Sequence, residues 1–436
     1  MSWKDDINLG PWSFAEQPDK PNSNEGNHIA SYDDPVWSLD PSTGVPITPT
    51  HIPCGYWTKG YAGLADNPPN DGPIWVAGYN AVGGFGAATP SFSKIFILSD
   101  ANEYLSVIAG YGNSYTLDAS GYLYSTGWND VGQLGLGDLI NRSAFTQSGA
   151  STWSKISVES TYGKSLLGMK IDGSVWGTGY NSYGQLGCGD NANKSFHTEA
   201  GKNPTGSLFV PGIIATDVAQ GYYHSLVVEG GTVWHSGWWS QGACGNGVDS
   251  GGSTPYFKQV EVDLGAGLVP FTATKVWAHR LYSFALHEGI VWATGLNEAG
   301  NLGLGDEATP RVRFESTGMA FTDMSIGEAV TSFGITASGE LWCAGRGDQG
   351  QLGLGGTGNV NVFTQTGNGT SDWAAVSCGS RNTIARKTDN SIWATGLNNY
   401  GQLGLGDNTR RLVFTEIPDT LFKVVSAGHY HTIAIK

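Results

Sequence analysis

Charge is scarce in this chain, and positive charge is scarcer still. Only 14 % of residues are charged, with 23 Lys and Arg against 38 Asp and Glu, a formal net charge of −15. No run of Lys or Arg occurs, so the electrostatic footprint that draws phosphate backbones is missing and nucleic acid is not an expected partner. The five cysteines, Cys54, Cys188, Cys244, Cys343 and Cys378, are odd in number and widely spaced, with no C-x-x-C pair. They read as buried reduced thiols, not as a disulfide framework or a metal site. No stretch approaches the ~20 apolar residues of a membrane span. The opening Met-Ser-Trp-Lys-Asp-Asp leads into no apolar segment of the signal-peptide type. These absences describe a soluble chain made in the cytoplasm, without membrane insertion, that could leave the cell by lysis or inside a larger particle. A sustained 3.6-residue apolar period is missing too, so helices should be few.

Glycine and tryptophan are abundant, at 65 and 16 residues. The glycine follows no collagen-like period and must serve turns and close packing. A run resembling Trp-Ala-x-Gly-x-Asn recurs seven times, at Trp75–Asn80, Tyr124–Asn129, Trp176–Asn181, Trp234–Trp239, Trp292–Asn297, Trp342–Gly347 and Trp393–Asn398. The shared glycines, Gly78, Gly127, Gly179, Gly237, Gly295, Gly345 and Gly396, are 49, 52, 58, 58, 50 and 51 residues apart. Such a period fits one four-stranded propeller blade per repeat. After each copy comes a glycine run, read most clearly in Gly132-Gln-Leu-Gly-Leu-Gly-Asp138, with near matches from Gly184, Gly300, Gly350 and Gly401 and degenerate ones at Gly83–Gly86 and Gly242–Gly247. Before each copy stand an alternating strand and a tight turn, as in His224-Ser-Leu-Val-Val228 ahead of Gly230-Gly231. Pairs such as Asp71-Gly72, Asp172-Gly173, Glu288-Gly289 and Ser338-Gly339 supply the turn chemistry.

The first repeat lacks the strand that should precede Asp71-Gly72, and the chain ends on that strand, Val424-Val-Ser-Ala-Gly-His-Tyr-His431-Thr-Ile-Ala-Ile-Lys436. Joining the two predicts an all-β, seven-bladed β-propeller, residues 71–436, closed by pairing the C-terminal strands with the strand near residue 75. Closure of this kind removes open sheet edges. Residues 1–70, rich in Pro, Asn, Asp and Ser, carry no repeat and read as an irregular N-terminal arm.

Together the Gly-Gln-Leu-Gly-Leu-Gly-Asp and Trp-Ala-x-Gly-x-Asn runs resemble those of the regulator-of-chromosome-condensation (RCC1-like) repeat family over residues 71–436. The resemblance implies a seven-bladed propeller. The functions it implies are all protein–protein recognition: nucleotide exchange on a small nuclear GTPase, inhibition of a secreted β-lactamase, and scaffolding.

No catalytic signature stands out, and no cofactor or metal is expected. The Gly-x-Gly patterns lead into extended chain, not into the helix N-terminus that phosphate binding requires. Asp138, Asp190, Asp306 and Asp407 stand singly, one per blade, which suits Asx turns better than a calcium loop. The repeated tryptophans read as packing between blades. His224 and His431 fall at equivalent positions, with Asn113, Lys164, Tyr282, Val330 and Asn382 in the other blades, forming a ring near one mouth of the channel; two histidines on separate blades are too few for a metal.

The residue inside each Gly-x-Asn turn is aromatic in the first four blades, Tyr79, Trp128, Tyr180 and Trp238, and Leu296, Arg346 and Leu397 in the rest. Large aromatics anchor protein interfaces, so these four with Trp239, Tyr222 and Tyr223 are the candidate partner-binding residues. The long inter-repeat segments 191–216 and 248–274 are second candidates, since insertions carry function in propellers. The chain therefore reads as a non-enzymatic binding or structural protein within a larger assembly, such as a bacteriophage tail, fibre or capsid-associated component, with the 1–70 arm as a further contact. The alternatives are a regulator of a small GTPase, which lacks here a basic tail and a long wedge insertion, and a secreted inhibitor or lectin-like binder.

Overall fold

In the computed structural model, residues 72–79, 92–110, 112–158, 164–202, 210–249, 251–263, 267–427 and 431–436 are described. The arm over 1–70 lies outside them. Among the described residues the regular elements are strands, apart from two short 3-10 turns at Ser240–Gly242 and Gly367–Gly369.

Strand pairing builds seven antiparallel units of four strands. Blade I joins the two ends of the sequence: Val424–Ala427, His431–Ile435, Gly72–Tyr79 and Phe92–Tyr104. Blade II is Ser106–Ala109, Asn113–Leu117, Tyr122–Gly127 and the first half of Arg142–Val158. The second half of that long strand opens blade III, with Ser165–Lys170, Val175–Gly179 and Lys194–Glu199. Blade IV is Asp217–Gln220, His224–Glu229, Thr232–Trp238 and Ser253–Gln259. Blade V is Lys275–His279, Tyr282–His287, Ile290–Gly295 and Arg311–Ser316. Blade VI is Asp323–Gly327, Thr331–Ile335, Leu341–Gly345 and Val360–Gln365. Blade VII is Trp373–Cys378, Asn382–Lys387, Ser391–Gly396 and Arg411–Leu421. The first strand of each blade touches the next blade all the way round, including VII to I and I to II, so the ring is closed.

The expected closure is present in register. Ile74, Trp75, Val76, Ala77 and Gly78 pair with Ile435, Ala434, Ile433, Thr432 and His431. The ammonium of Lys436 lies 5.3 Å from the Trp75 ring centre, a cation–π contact across the two ends of the sequence. Lys170 over Trp176 at 3.5 Å and Lys387 over Trp393 at 4.7 Å repeat it within single blades. The repeated tryptophans are thus half-buried: one side packs on an apolar layer between blades and the other carries a lysine in these three.

Alternation along the strands feeds two layers at once. Leu166 points into the layer shared with blade II, beside Tyr115 and Trp153, while Leu167 points into the layer shared with blade IV, beside Val218 and Val227. Blades bury both faces, which explains their near-continuous apolar runs.

The glycine run is the clasp between blades. Gly137 donates its amide to Ser195 O of the next blade at 2.8 Å, and Gly189, Gly305 and Gly355 do the same to Pro255, Asn361 and Leu412. At Gly132 (φ +87) a Cβ would sit 2.4 Å from Ser195 Cα, so only glycine admits this backbone contact. A hydroxyl reinforces it: Thr178, Thr294 and Thr395 donate to Gly132 O, Gly242 O and Gly350 O, the glycine-run carbonyls of the preceding blades.

The inner strands add a polar seam. Asp217 of blade IV accepts from the Lys155 ammonium of blade III and, at 2.9 Å, from the Val276 amide of blade V. Both charged side chains are nearly buried. Serine hydroxyls accept at the same junction and at another: Ser157 from the Gln220 amide between blades III and IV, and Ser325 from the Cys378 amide between VI and VII.

Two outcomes follow from these contacts. Asp217→Ala leaves a buried ammonium and an amide without their acceptor, and unfolding by denaturant is expected to show a loss of about 3–5 kcal/mol, whereas Lys155→Met with Asp217→Leu recovers much of it. Removing residues 431–436 exposes the facing edges of Val424–Ala427 and Gly72–Tyr79; size-exclusion and thermal melting should then show association and a lower, broader transition. A monomer with an unchanged midpoint would contradict the closure.

Candidate functional site

In a four-stranded antiparallel blade, the connections between strands one and two and between three and four leave on one face of the ring, the loop face. The two-to-three turns and the blade-to-blade crossings leave on the other, the turn face. The Gly-x-Asn position belongs to the loop face in every described blade. Its x residue donates its amide to the one-to-two loop: Trp128 to Gly112 O at 2.8 Å, Tyr180 to Lys164 O at 2.5 Å, Trp238 to Tyr223 O at 2.7 Å, Leu296 to Leu281 O at 2.9 Å, Arg346 to Val330 O at 3.1 Å and Leu397 to Arg381 O at 2.7 Å. The turn is locked by its asparagine. In blade II, Asn129 Nδ2 donates to the Asp138 carbonyl at 3.0 Å while Asn129 Oδ1 accepts the Leu134 amide at 2.9 Å. Asn181, Asn297 and Asn398 repeat the brace.

The one-per-blade aspartates take the turn role expected of them. The Oδ1 of Asp138, Asp190, Asp306 and Asp407 accepts the amide two residues on, at 2.8–3.0 Å. Each also binds a cation four or five residues later: Arg142, Lys194, Arg311 and Arg411. This spacing of four or five residues is visible in the sequence and marks the aspartates as ion-paired turn residues. Among the described residues no group of three or more His, Cys, Asp or Glu is arranged to hold a metal ion.

On this scaffold, blades III and IV bring four of the expected contact residues together. Tyr222 and Tyr223 have ring centres 3.8 Å apart, Tyr223 and Trp238 are 5.7 Å apart and nearly perpendicular, and Tyr180 lies 6.2 Å from Tyr223. The centre of the cluster is a residue the motif reading missed, Tyr183, 4.4 Å from Tyr223, 5.8 Å from Trp238 and 6.5 Å from Tyr180. It sits just before the glycine run, in the place Tyr400 takes in blade VII. All five rings are half-buried. Trp239 turns away: it stands perpendicular to His235 at 6.0 Å and covers Gly252, where a Cβ would come within 2.4 Å of its ring. Trp128 holds the equivalent position of blade II, half-buried. The Tyr79 side chain lies outside what is described.

An arginine network adjoins the rings. The Tyr222 amide donates to Arg280 O at 3.0 Å, and Arg280 is in the left-handed region (φ 36). Its guanidinium meets Glu298 at 2.8 Å, and Arg346 approaches the same carboxylate at 3.7 Å. Lys164 pairs with Asp130 at 2.7 Å on the far side.

The supposed ring of polar residues needs correction at two blades. The register that pairs His224 with Gly237 and His431 with Gly78 pairs Ser165 with Gly179 and Thr331 with Gly345, one residue beyond Lys164 and Val330. The one-to-two loops vary in length, so counting from the preceding glycine loses the register. The ring, Asn113, Ser165, His224, Tyr282, Thr331, Asn382 and His431, is buried throughout. His224 Nε2 bonds Ser283 Oγ of blade V at 2.8 Å, and Tyr282 donates to Gly327 O of blade VI at 2.8 Å. Its chemistry joins blades. Burial, reinforced by His235 and His279, pushes His224 down to about 3, and burial likewise takes His235 to about 3 and His279 to about 4. The four described cysteines are free; Cys244, Cys343 and Cys378 are buried and Cys188 half-buried, with burial raising the Cys188 thiol to about 12. Among the described residues no helix is long and apolar enough to cross a membrane.

The architecture and its motifs define a class: a closed β-propeller with one glycine-rich repeat per blade and a hydrogen-bonded clasp between blades. The regulator of chromosome condensation (RCC1) repeat profile matches residues 172–228, 338–386 and 389–435, and a second profile of that repeat matches 373–402. The matched residues are RCC1 repeats, and the chain is RCC1-like in its motifs and fold. It is similar to the ultraviolet-B receptor UVR8 of Arabidopsis thaliana, 28 % identical over 77 % of this chain and 75 % of the receptor. It is also similar to the E3 ubiquitin-protein ligase HERC2 of Homo sapiens, 26 % identical over 83 % of this chain, which spans only 8 % of that ligase. Among solved structures, Prp20p of Saccharomyces cerevisiae, described by its binding to Gsp1p and histones, superposes with a TM-score of 0.67 at 18 % identity, covering 87 % of this chain and 92 % of Prp20p.

The buried histidines set a pH dependence of stability. Their folded pKa values lie below the ~6.5 of an exposed imidazole, so the unfolded chain binds more protons below that pH. Stability should be constant above it and fall as pH drops from about 6.5 towards 4. Denaturant midpoints at neutral and mildly acidic pH check this, and His224→Asn, the residue found in blades II and VII, should flatten the slope.

Proposed function

We propose that this chain is a non-catalytic propeller that binds another protein through its loop face, with Tyr180, Tyr183, Tyr222, Tyr223 and Trp238 as the central contact. Trp128 and the Arg280–Glu298–Arg346 network flank it. The observation that carries the reading is the grouping of five half-buried aromatic rings from two neighbouring blades on one face. Rings of this kind present large apolar area with little side-chain entropy to lose, and interface hot spots are rich in Tyr, Trp and Arg. The asparagine braces and the blade core hold the loops before any partner arrives, which lowers the ordering cost of association. In this reading residues 1–70 form an arm separate from the 71–436 propeller and add a second contact, and the chain works inside a multi-subunit assembly. The virion role rests on composition alone, and nothing further supports it.

Regulation of a small GTPase is the second reading, favoured by the similarity to Prp20p, whose description includes binding to Gsp1p. It requires that a purified GTPase release its nucleotide faster in the presence of this chain.

The test of the main reading is comparative affinity purification. Tyr223→Ala with Trp238→Ala should lower recovery of the partner by about a hundredfold, given about 2 kcal/mol or more for an aromatic hot spot and partial additivity. The melting temperature should move little. Leu421→Ser, exposed at the turn-face end of the fourth strand of blade VII, is the control. Equal recovery by the aromatic variant and the control defeats the loop-face assignment.

A further inference from the structure

On the turn face, the two long inter-repeat segments build small edges beside blade IV. Gly201–Lys202 pairs parallel to the fourth strand of blade IV, and Val210–Pro211 pairs with it as the sheet's outer edge. Glu261–Asp263 and Leu268–Pro270 form a separate two-stranded ribbon. Between them stands the Glu229-Gly230-Gly231 turn. The Ile214 amide donates to Glu229 Oε1 at 3.2 Å on one side, and the Ala273 amide to Gly231 O at 2.8 Å on the other. Ile214 also forms a bridge with Ser174, next to the Ile171–Gly173 turn of blade III.

Along this path the apolar side chains are turned outward. Ile171 is 65 % exposed, Ile214 55 %, Leu268 53 % and Val210 44 %. In a chain this polar on its surface, such a row on one face is a docking feature. The charges around it are mostly negative: Asp172, Glu199, Glu229, Glu261, Asp263 and Glu288. The neighbouring cations are Lys170, seated on Trp176, Lys202, paired with Glu229, Arg313, donating to Glu261 O, Lys258, over Tyr256, and Lys275, donating to Thr322 O. The six carboxylates exceed these five cations by one, on a chain whose net charge is −15.

We infer that this turn-face surface around blade IV docks a basic amphipathic helix of a partner protein, separately from the aromatic site on the loop face. Charge selects lysine and arginine on the flanks of the helix. The row of Ile171, Ile214 and Leu268 takes its apolar face, in the helix-on-groove mode. Strand addition is disfavoured because both exposed edges carry proline, Pro211 and Pro270, which has no amide to donate. With a partner on each face, the propeller would act as a bridge.

The full chain, titrated with a labelled Leu/Lys amphipathic helical peptide of about five turns, is expected to bind it in physiological salt. A Ser/Lys peptide of equal charge should bind at least about tenfold more weakly. Ile171→Ser, Ile214→Ser and Leu268→Ser combined should weaken the Leu/Lys peptide by a similar factor, and Asp172→Asn with Glu288→Gln should reduce both affinity and its salt dependence. Tyr223→Ala should bind as the parent does, which separates failure here from failure of the loop-face site. Three results overturn the inference: equal binding of the Ser/Lys peptide, which would leave only bulk charge; unchanged binding by both variants with their fold intact by circular dichroism; or self-association in sedimentation that the triple variant abolishes, which would make the occupant a second copy.

Discussion

The ring depends on backbone lying against backbone at each blade junction. A glycine run leaves the third strand of one blade and hydrogen-bonds the fourth strand of the next, as Gly137 does to Ser195 and Gly355 to Leu412. A side chain at Gly132 or Gly184 would collide with that neighbouring strand. The hydrogen bonds are directional and the apolar layers are not, so the glycine run fixes the angle between blades and the layers supply most of the burial energy. Among the described residues five junctions, from II–III to VI–VII, carry such a bond.

That arrangement leaves loops and insertions as the places where side chains are free to vary. Strand residues are committed on both faces to inter-blade layers, and even the polar ring with His224 and Tyr282 is spent on bonds between blades. What remains free to vary is the x residue of the Gly-x-Asn turn, the one-to-two loop, and the crossings between blades. On the loop face, the first two positions bring Tyr180, Trp238, Tyr222 and Tyr223 into contact. On the turn face, the crossings around blade IV carry outward isoleucine and leucine. Arg280 and Val330, both with positive φ, lie in one-to-two loops beside the aromatic and arginine groups, where backbone strain is held by the surrounding bonds.

The chain is similar in sequence to UVR8 and HERC2 and in fold to Prp20p. Positions that face solvent on either side differ from blade to blade within this one chain.

Blade number, closure and the strand order were legible in the sequence, because a repeated glycine and a missing first strand are local features with one geometric solution. The turn role of Asp138 and its equivalents was legible for the same reason: an Asx bond spans two residues. The register of the inner ring was not, since Ser165 and Thr331 are displaced by loops of different length that only strand pairing aligns. Nor was Tyr183, whose importance comes from Tyr223 and Trp238 of another blade, or the Lys155–Asp217–Val276 seam, which joins three blades at separations of about sixty residues. Periodicity along the chain determines which elements form; which side chains meet across elements is decided by the angle at which neighbouring sheets pack, and that angle exists only in three dimensions.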